Sequence, residues 1–438
     1  MIENQKHLRR KLLLSRLLTR SGDQAWDFAL PLALIIIFPK NIALGIGLFF
    51  LSKLLYTFLA PIVGDRIDEW SAKKILQRGI GLQTIAVVAG GTLIWTLYLN
   101  SQEGAINTQY GNLPLVLWFI ALTISMVMGA LGAMVIDIFI SQILVPDFFK
   151  DELTKINAYI RQIDLGTEVG SPVVTGIVIA ACASFHPLAG FSVVVLWNAL
   201  SFIPEYFLVK SCCETVSFAN KKLPIPLSML QKYRAGFRAF FKHKLTVPIL
   251  AYTMLWFSVL SPHGVLLTTF LKGGWNIPEQ DLGIFRGLGA VFGVSATLMF
   301  PFLVKKFKLI GAAGGLIVLQ ATAVSIAAAA YMTNSSHWYF FSAILISRIG
   351  LYGFSQGEME LRQRWCADGE KGQINGFASA MNNSATLLLL LAGTFFTNPD
   401  DFVILVVGSA FFVCLGAVMF LMWAWQHRHE KLSSGVPL

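Results

Sequence analysis

Long apolar runs separated by short polar connections dominate the chain. The first six fall at Leu12–Phe38, Ile42–Val63, Ile75–Leu99, Pro114–Val145, Asn157–Ala183 and Leu188–Val209. After a longer polar stretch come Thr246–Leu271, Leu282–Val304, Ile310–Met332, Trp338–Leu361, Gly372–Thr397 and Phe402–Gln426. These runs reach the ~20 residues that an α-helix needs to cross a bilayer. Hydrocarbon offers the backbone no hydrogen-bond partner, so runs of this kind are expected as helices that satisfy their own N–H and C=O groups. The pattern predicts an all-α membrane protein with twelve transmembrane helices.

Lysine and arginine test that count. They gather before the first run (Lys6, Arg9, Arg10, Lys11, Arg16) and after the second (Arg66, Lys73, Lys74) and the fourth (Lys150, Lys155). They return after the sixth (Lys210 to Lys244), the eighth (Lys305, Lys306, Lys308), the tenth (Arg362, Arg364, Lys371) and the last (Arg428, Lys431). The alternate connections carry only Lys40 and Lys272. A wrong number of crossings would break this alternation, so a multi-pass inner-membrane protein is expected, with both termini cytoplasmic.

The stretch 210–244 divides the chain into a six-helix half, 1–209, and a second, 245–438. Within it Met229, Tyr233, Phe237 and Phe240 recur at helical spacing, with Lys232, Arg234, Arg238 and Lys242 on other faces. That pattern predicts a basic amphipathic helix lying on the lipid bilayer and tethering the halves. Six spans, a basic linker and six more is the layout of the major facilitator architecture, in which two halves rock about a midplane site.

Composition narrows the class further. Hydrophobic residues make up 55% of the chain and charged residues 13%, against about 25% charged in soluble proteins. The 37 glycines suit close helix packing in lipid. The net charge of +10 lies in the connections, so it reads as membrane orientation and not as a nucleic-acid surface. Of five cysteines, Cys182 and Cys414 lie in apolar runs and Cys212, Cys213 and Cys366 at basic edges, which excludes a disulfide framework and a Cys-rich zinc site. The first run continues past Asp23 to Phe38 without a small-residue cleavage site, so it reads as a span and not a signal peptide. Neither a phosphate-binding glycine loop nor a nucleophile elbow is present, so no enzyme is expected and transport would run on gradients.

Polar residues inside the runs are the functional candidates, because each is costly in hydrocarbon. Asp23 and Asp27 lie one turn apart in the first run. Asn198, Ser201 and Glu205 share a helix face in the sixth, and Gln83 lies in the third. These are hard oxygen donors, suited to a divalent cation or a proton better than to a sugar or lipophilic solute; polar side chains bonded to one another between helices are the structural alternative. His263 is the one histidine well inside a run. Pro262 and Gly264 flank it, so the seventh helix is expected to unwind there and expose an imidazole suited to a transition metal. Asp65, Arg66, Asp68, Arg161 and Asp164 lie at the basic side and suit a gate of salt bridges. Arg20 and Lys53 are expected to snorkel or pair.

Several segments resemble the ferroportin family of iron exporters. They are Gly22-Asp23-Gln24-Ala25-Trp26, Gly64-Asp65-Arg66-Ile67-Asp68, and the run Asn157 to Asp164. Trp197 to Ser201 with Glu205-Tyr206, Arg348 to Leu351, and Ile374-Asn375-Gly376 with Met381-Asn382 complete the set. They are collinear over nearly the whole chain and look like a bacterial member. The resemblance implies a major facilitator fold that exports ferrous iron and related divalent metals as substrate, with one metal site in each half and no resident cofactor. It implies Asp23 as the metal aspartate of the first half, with Asn198 and Ser201 lining its pocket. Gln83 and Glu205 match positions tied to a Ca2+-binding variant of that site, and His263 stands in the second half. Gly416-Ala417-Val418 falls where a second histidine of that half is expected, and the long hormone-regulated loops are absent.

The expectation is a monomeric exporter of divalent metal ions, working by alternating access with protons as coupling ion. An organic-cation exporter with Asp23 as counter-charge, and a membrane sensor that transports nothing, are the alternatives.

Overall fold

The computed structural model describes residues 2–38, 42–102, 113–213, 229–262, 264–333, 335–396 and 401–427. Helices account for nearly all of them, as chain placed in lipid must. In the first part of the chain these are α1 (Ile2–Ile37), α2 (Ile42–Glu69), α3 (Ala72–Gln102), α4 (Leu113–Ile138), α6 (Leu153–Cys182) and α7 (Ala189–Cys213). Between α4 and α6 lie a π-helical turn, Phe139–Leu144, and a short α5, Val145–Phe148. Then come α8 (Met229–Lys242), α9 (Thr246–Leu255), α10 (Val265–Gly273), α11 (Glu279–Met332), α12 (His337–Trp365), α13 (Lys371–Phe395) and α14 (Phe402–His427).

The twelve expected spans map onto these helices with three adjustments. α1 starts ten residues before its apolar run, because the basic stretch Lys6–Lys11 continues the same helix. α11 has 54 residues, far more than one bilayer crossing requires. It is broken at Lys308, where φ is 61° and ψ 171°, so it supplies spans eight and nine. The seventh span is two helices, α9 ending at Leu255 and α10 beginning at Val265, so the helix already stops well before Pro262.

Packing divides the chain into two units. The first comprises Met1–Leu144, Gly166–Met229 and Asp368–Gly376; the second comprises Val145–Leu165, Leu230–Ala367 and Phe377–Leu438. The first has a core of Ala25, Ala29, Leu30, Ala33 and Leu34 of α1 against Ile94, Leu122, Phe191 and Val194. The second has an aromatic core around Phe270, Phe285, Phe340 and Phe402, with the rings of Phe270 and Phe402 stacked at 3.9 Å. Many other large apolar side chains face outward, such as Val173, Ile177, Phe207 and Phe302, as a lipid-facing surface requires.

Candidate functional site

In the first unit α1 and α7 meet where α1 has a glycine. A Cβ on Gly22 would lie 2.6 Å from Asn198 Oδ1 and 3.0 Å from Ser201 Oγ, so only the missing side chain permits this approach. Asp23 is the next residue and is half-buried; Asp27, a turn further, is exposed. Asn198, Ser201 and Glu205 are buried along one face of α7. Ser201 Oγ donates to the Asn198 carbonyl at 2.7 Å. Glu205 lies within hydrogen-bond reach of Thr19 and electrostatic reach of Asp23, both on α1.

α3 brings Gln83 to the same depth. Gly91 faces Val195 of α7, and Trp95 donates from Nε1 to Ser192 Oγ at 2.7 Å, which sets an antiparallel register between the two helices. Continued two turns, that register puts Gln83 level with Ser201–Glu205. Close approach again helps: a Cβ on Gly132 of α4 would come within 2.8 Å of Gln83 Cγ. Trp26, one turn from Asp23, lies on Gly90 of α3 and 5.7 Å from the Phe191 ring of α7, closing the pocket on that side.

Both amide atoms of Gln83, both of Asn198 and Oε2 of Glu205 are buried without a hydrogen-bond partner. A buried polar group left unmatched costs ~1–3 kcal/mol. Unpartnered acceptor oxygens of this kind are what a bound cation would satisfy; those of Asn198 and Glu205 stand two turns apart on α7, about 10 Å along the helix. Among the described residues no group of three or more His, Cys, Asp or Glu side chains is placed to hold a metal ion. The pocket is instead amide-rich with two carboxylates, a hard-oxygen donor set. Asp137 of α4 was not singled out from the sequence. It takes Arg16 at 2.6 Å and Arg20 at 3.5 Å, engaging two cations within the two turns of α1 that precede Asp23. A lone acid within an apolar run was its signal.

In the second unit several hydrogen bonds hold the break in span seven. Val259 donates its N–H to Ser409 Oγ at 2.9 Å, and Gly264 donates to Ser261 O at 2.9 Å. Arg348 of α12, buried, donates to Leu260 O at 2.8 Å, to Ser261 Oγ at 3.3 Å and to Ser347 Oγ at 2.9 Å. Its sequence signal is that it is the sole cation of the run Trp338–Leu361. His263 lies outside the described residues. Gly416 packs α14 on α9 so closely that a Cβ there would meet Ala251 O at 2.7 Å. The α14 helix therefore offers backbone contact, and not a ligand, at that point. Gln320 and Gln356 are buried with both amide atoms unpartnered, which the sequence reading also missed.

The five candidate gate residues have definite surroundings. Asp68 accepts the backbone N–H of Gly372 at 2.8 Å and of Gln373 at 2.9 Å, in the first turn of α13. Asp65 accepts from Gln373 Nε2 at 3.2 Å. Gly64, Gly372 and Gly376 let the backbones of α2 and α13 touch, with a Cβ on Gly376 only 2.7 Å from Ala60 O. Arg66 pairs with Glu69 at 3.0 Å and is half-exposed. In the second unit the Arg161 guanidinium lies 5.0 Å from the Tyr352 ring centre, and Asp164 is half-buried on the same helix. One turn before Arg161, Asn157 and Gln363 exchange two amide hydrogen bonds at 2.6 and 3.0 Å. Thr154 donates to Glu360 at 2.8 Å.

These features define a helical membrane protein of the major facilitator architecture. The chain superposes on the proton:xylose symporter XylE with a TM-score of 0.64 at 12% identity, covering 99% of this chain and 97% of that one, a likeness of fold alone. The profile of the Ferroportin1 (FPN1) family matches residues 6–225 and 219–413, and the chain belongs to the ferroportin family. It is 38% identical to Ferreportin of Bdellovibrio bacteriovorus over 438 residues, covering 99% of this chain and 98% of that relative. A crystal structure of a bacterial homologue of iron transporter ferroportin in the outward-facing state matches with a TM-score of 0.88, covering 95% and 99% of the two chains at 38% identity. The inward-facing state of such a homologue matches with a TM-score of 0.66, covering 95% and 98% at 38% identity. The outward-facing state with soaked iron matches with 0.86, covering 95% and 99% at 38% identity.

Proposed function

We propose that this protein exports ferrous iron and related divalent metals by alternating access, with protons as the coupling ion. The observation that carries the reading is the pocket between α1, α3 and α7. Gln83 of α3 and Asn198 and Glu205 of α7 are buried with side-chain oxygens unpartnered, and Asn198 closes on α1 at Gly22, next to Asp23. Oxygen donors in that number also suit Ca2+, so calcium is the ion expected to compete at this site. Asp23 is the main ligand of the first half, with Asn198 and Ser201 lining its pocket, and His263 is the ligand of the second. The broken span supports that second role, because a half-unwound helix frees carbonyls beside a transported ion. Neutral imidazole alone coordinates metal, so protons and metal compete for one nitrogen of His263. Asp65, Asp68, Arg161, Asp164 and Arg66 belong to the gate, with Asp68 clasping α13. The protein works as a monomer in the bacterial inner membrane with both termini in the cytoplasm.

Cobalt or iron flux into proteoliposomes tests the reading. Wild type should carry metal and Asp23→Ala should not, while remaining folded. The His263→Ala variant should lose the more acid-sensitive of two binding components seen by calorimetry. Normal flux in Asp23→Ala would remove that residue from the site. Flux of an organic cation that is indifferent to competing metals would favour the organic-cation reading, and no flux of any solute the sensor reading.

A further inference from the structure

The α8 helix divides into three stripes. Phe240 is buried and Tyr233 half-buried, and both face Phe377 of α13, with ring centres at 5.4 and 5.7 Å. The next stripe round the helix is apolar yet exposed: Leu230 at 61%, Phe237 at 43% and Phe241 at 47%. Beyond it Arg234, Arg238 and Lys242 follow at four-residue spacing, all exposed. None of the three takes part in an ion pair among the described residues. From Lys221 to Leu245 the sequence has no acidic residue. An exposed aromatic stripe bordered by an unopposed cationic one matches a bilayer surface, with rings at the acyl boundary and cations at the phosphates.

We propose that α8 is a docking surface for anionic phospholipid headgroups, and that headgroup charge is transmitted to transport through α13. The link is local. Phe377, clasped by Tyr233, Phe237 and Phe240, directly follows Gly376, and a turn earlier Gly372 and Gln373 donate to Asp68. Seating α8 on lipid therefore holds one flank of the helix whose first turn Asp68 clasps. Partner proteins with acidic faces also attract cations, but they do not require Leu230, Phe237 and Phe241 to stand exposed beside them.

The transport half of this inference rests on the proposed metal flux; the lipid half does not. Two measurements therefore run in parallel. Native mass spectrometry reads which lipid wild type retains from a mixture of phosphatidylglycerol and phosphatidylcholine. Cobalt flux is compared in vesicles with and without phosphatidylglycerol. Each cation near an anionic surface strengthens binding roughly fivefold. Wild type should retain phosphatidylglycerol preferentially and transport several-fold faster in its presence. The triple variant R234Q/R238Q/K242Q should lose both effects and keep the flux of neutral vesicles, and high salt should mimic it in wild type, since exposed charges are screened. Phe377→Ala should keep the lipid preference and lose the flux dependence. A triple variant that still prefers phosphatidylglycerol overturns the docking surface. Loss of lipid preference with flux dependence intact overturns the coupling. Absence of flux in every vesicle would count against the metal-transport reading, while lipid retention would still decide the docking surface.

Discussion

Asp68 on α2 accepts the backbone N–H of Gly372 on α13 at 2.8 Å, and its other oxygen accepts the next N–H, of Gln373, at 2.9 Å. One carboxylate thus caps the first turn of a helix three hundred residues further along the chain. The free N–H groups and the positive end of the helix dipole both favour it there.

Asp68→Asn keeps the size of the side chain but removes the charge and one acceptor. It should loosen the α2–α13 clasp by about 1 kcal/mol, roughly a fivefold change in the ratio of two states. Cysteine labelling near Gly64 from the side that carries the α7–α8 connection should rise. An unchanged labelling pattern would make Asp68 a purely structural cap.

Gly22 has the tightest demand in the pocket. A methyl group there meets Asn198 Oδ1 at 2.6 Å and Ser201 Oγ at 3.0 Å. Gly22→Ala should separate α1 from α7 or turn Asn198 aside, lowering metal flux about tenfold, about 1.4 kcal/mol. Binding calorimetry should show the matching loss of affinity in the first half. Unaltered affinity would mean that the pocket does not depend on this approach.

Arg348 is buried and bonded to neutral oxygens of the unwound segment. Arg348→Met leaves Leu260 O without its guanidinium donor and should cost about 2 kcal/mol of stability, in the range for a buried acceptor that loses its partner. Thermal unfolding in detergent should fall, and hydrogen exchange should rise at Leu260 and Ser261. Exchange unchanged across 256–262 would show that the break is held by Ser409 and local turns instead.

The sequence by itself determined how many times the chain crosses the bilayer and which polar side chains stand where only helices survive. Those facts follow from the length of apolar runs, from the alternation of lysine and arginine, and from the cost of a lone polar group in lipid. That Asp23, Asn198, Ser201, Gln83 and Glu205 lie inside apolar runs was legible on those grounds, and so was the broken seventh span. What tertiary structure decided was partnership. Nothing in the local pattern of Asp137 says that it will engage Arg16 and Arg20. The pattern around Arg348 likewise does not say that its guanidinium reaches Leu260 O. Gly22 and Gly416 look alike in sequence, yet one admits α7 to the pocket and the other closes α14 on α9. The periodicity of a helix fixes which face a residue occupies; which neighbour meets that face depends on the packing of helices far apart in the chain, and no local signal encodes that contact.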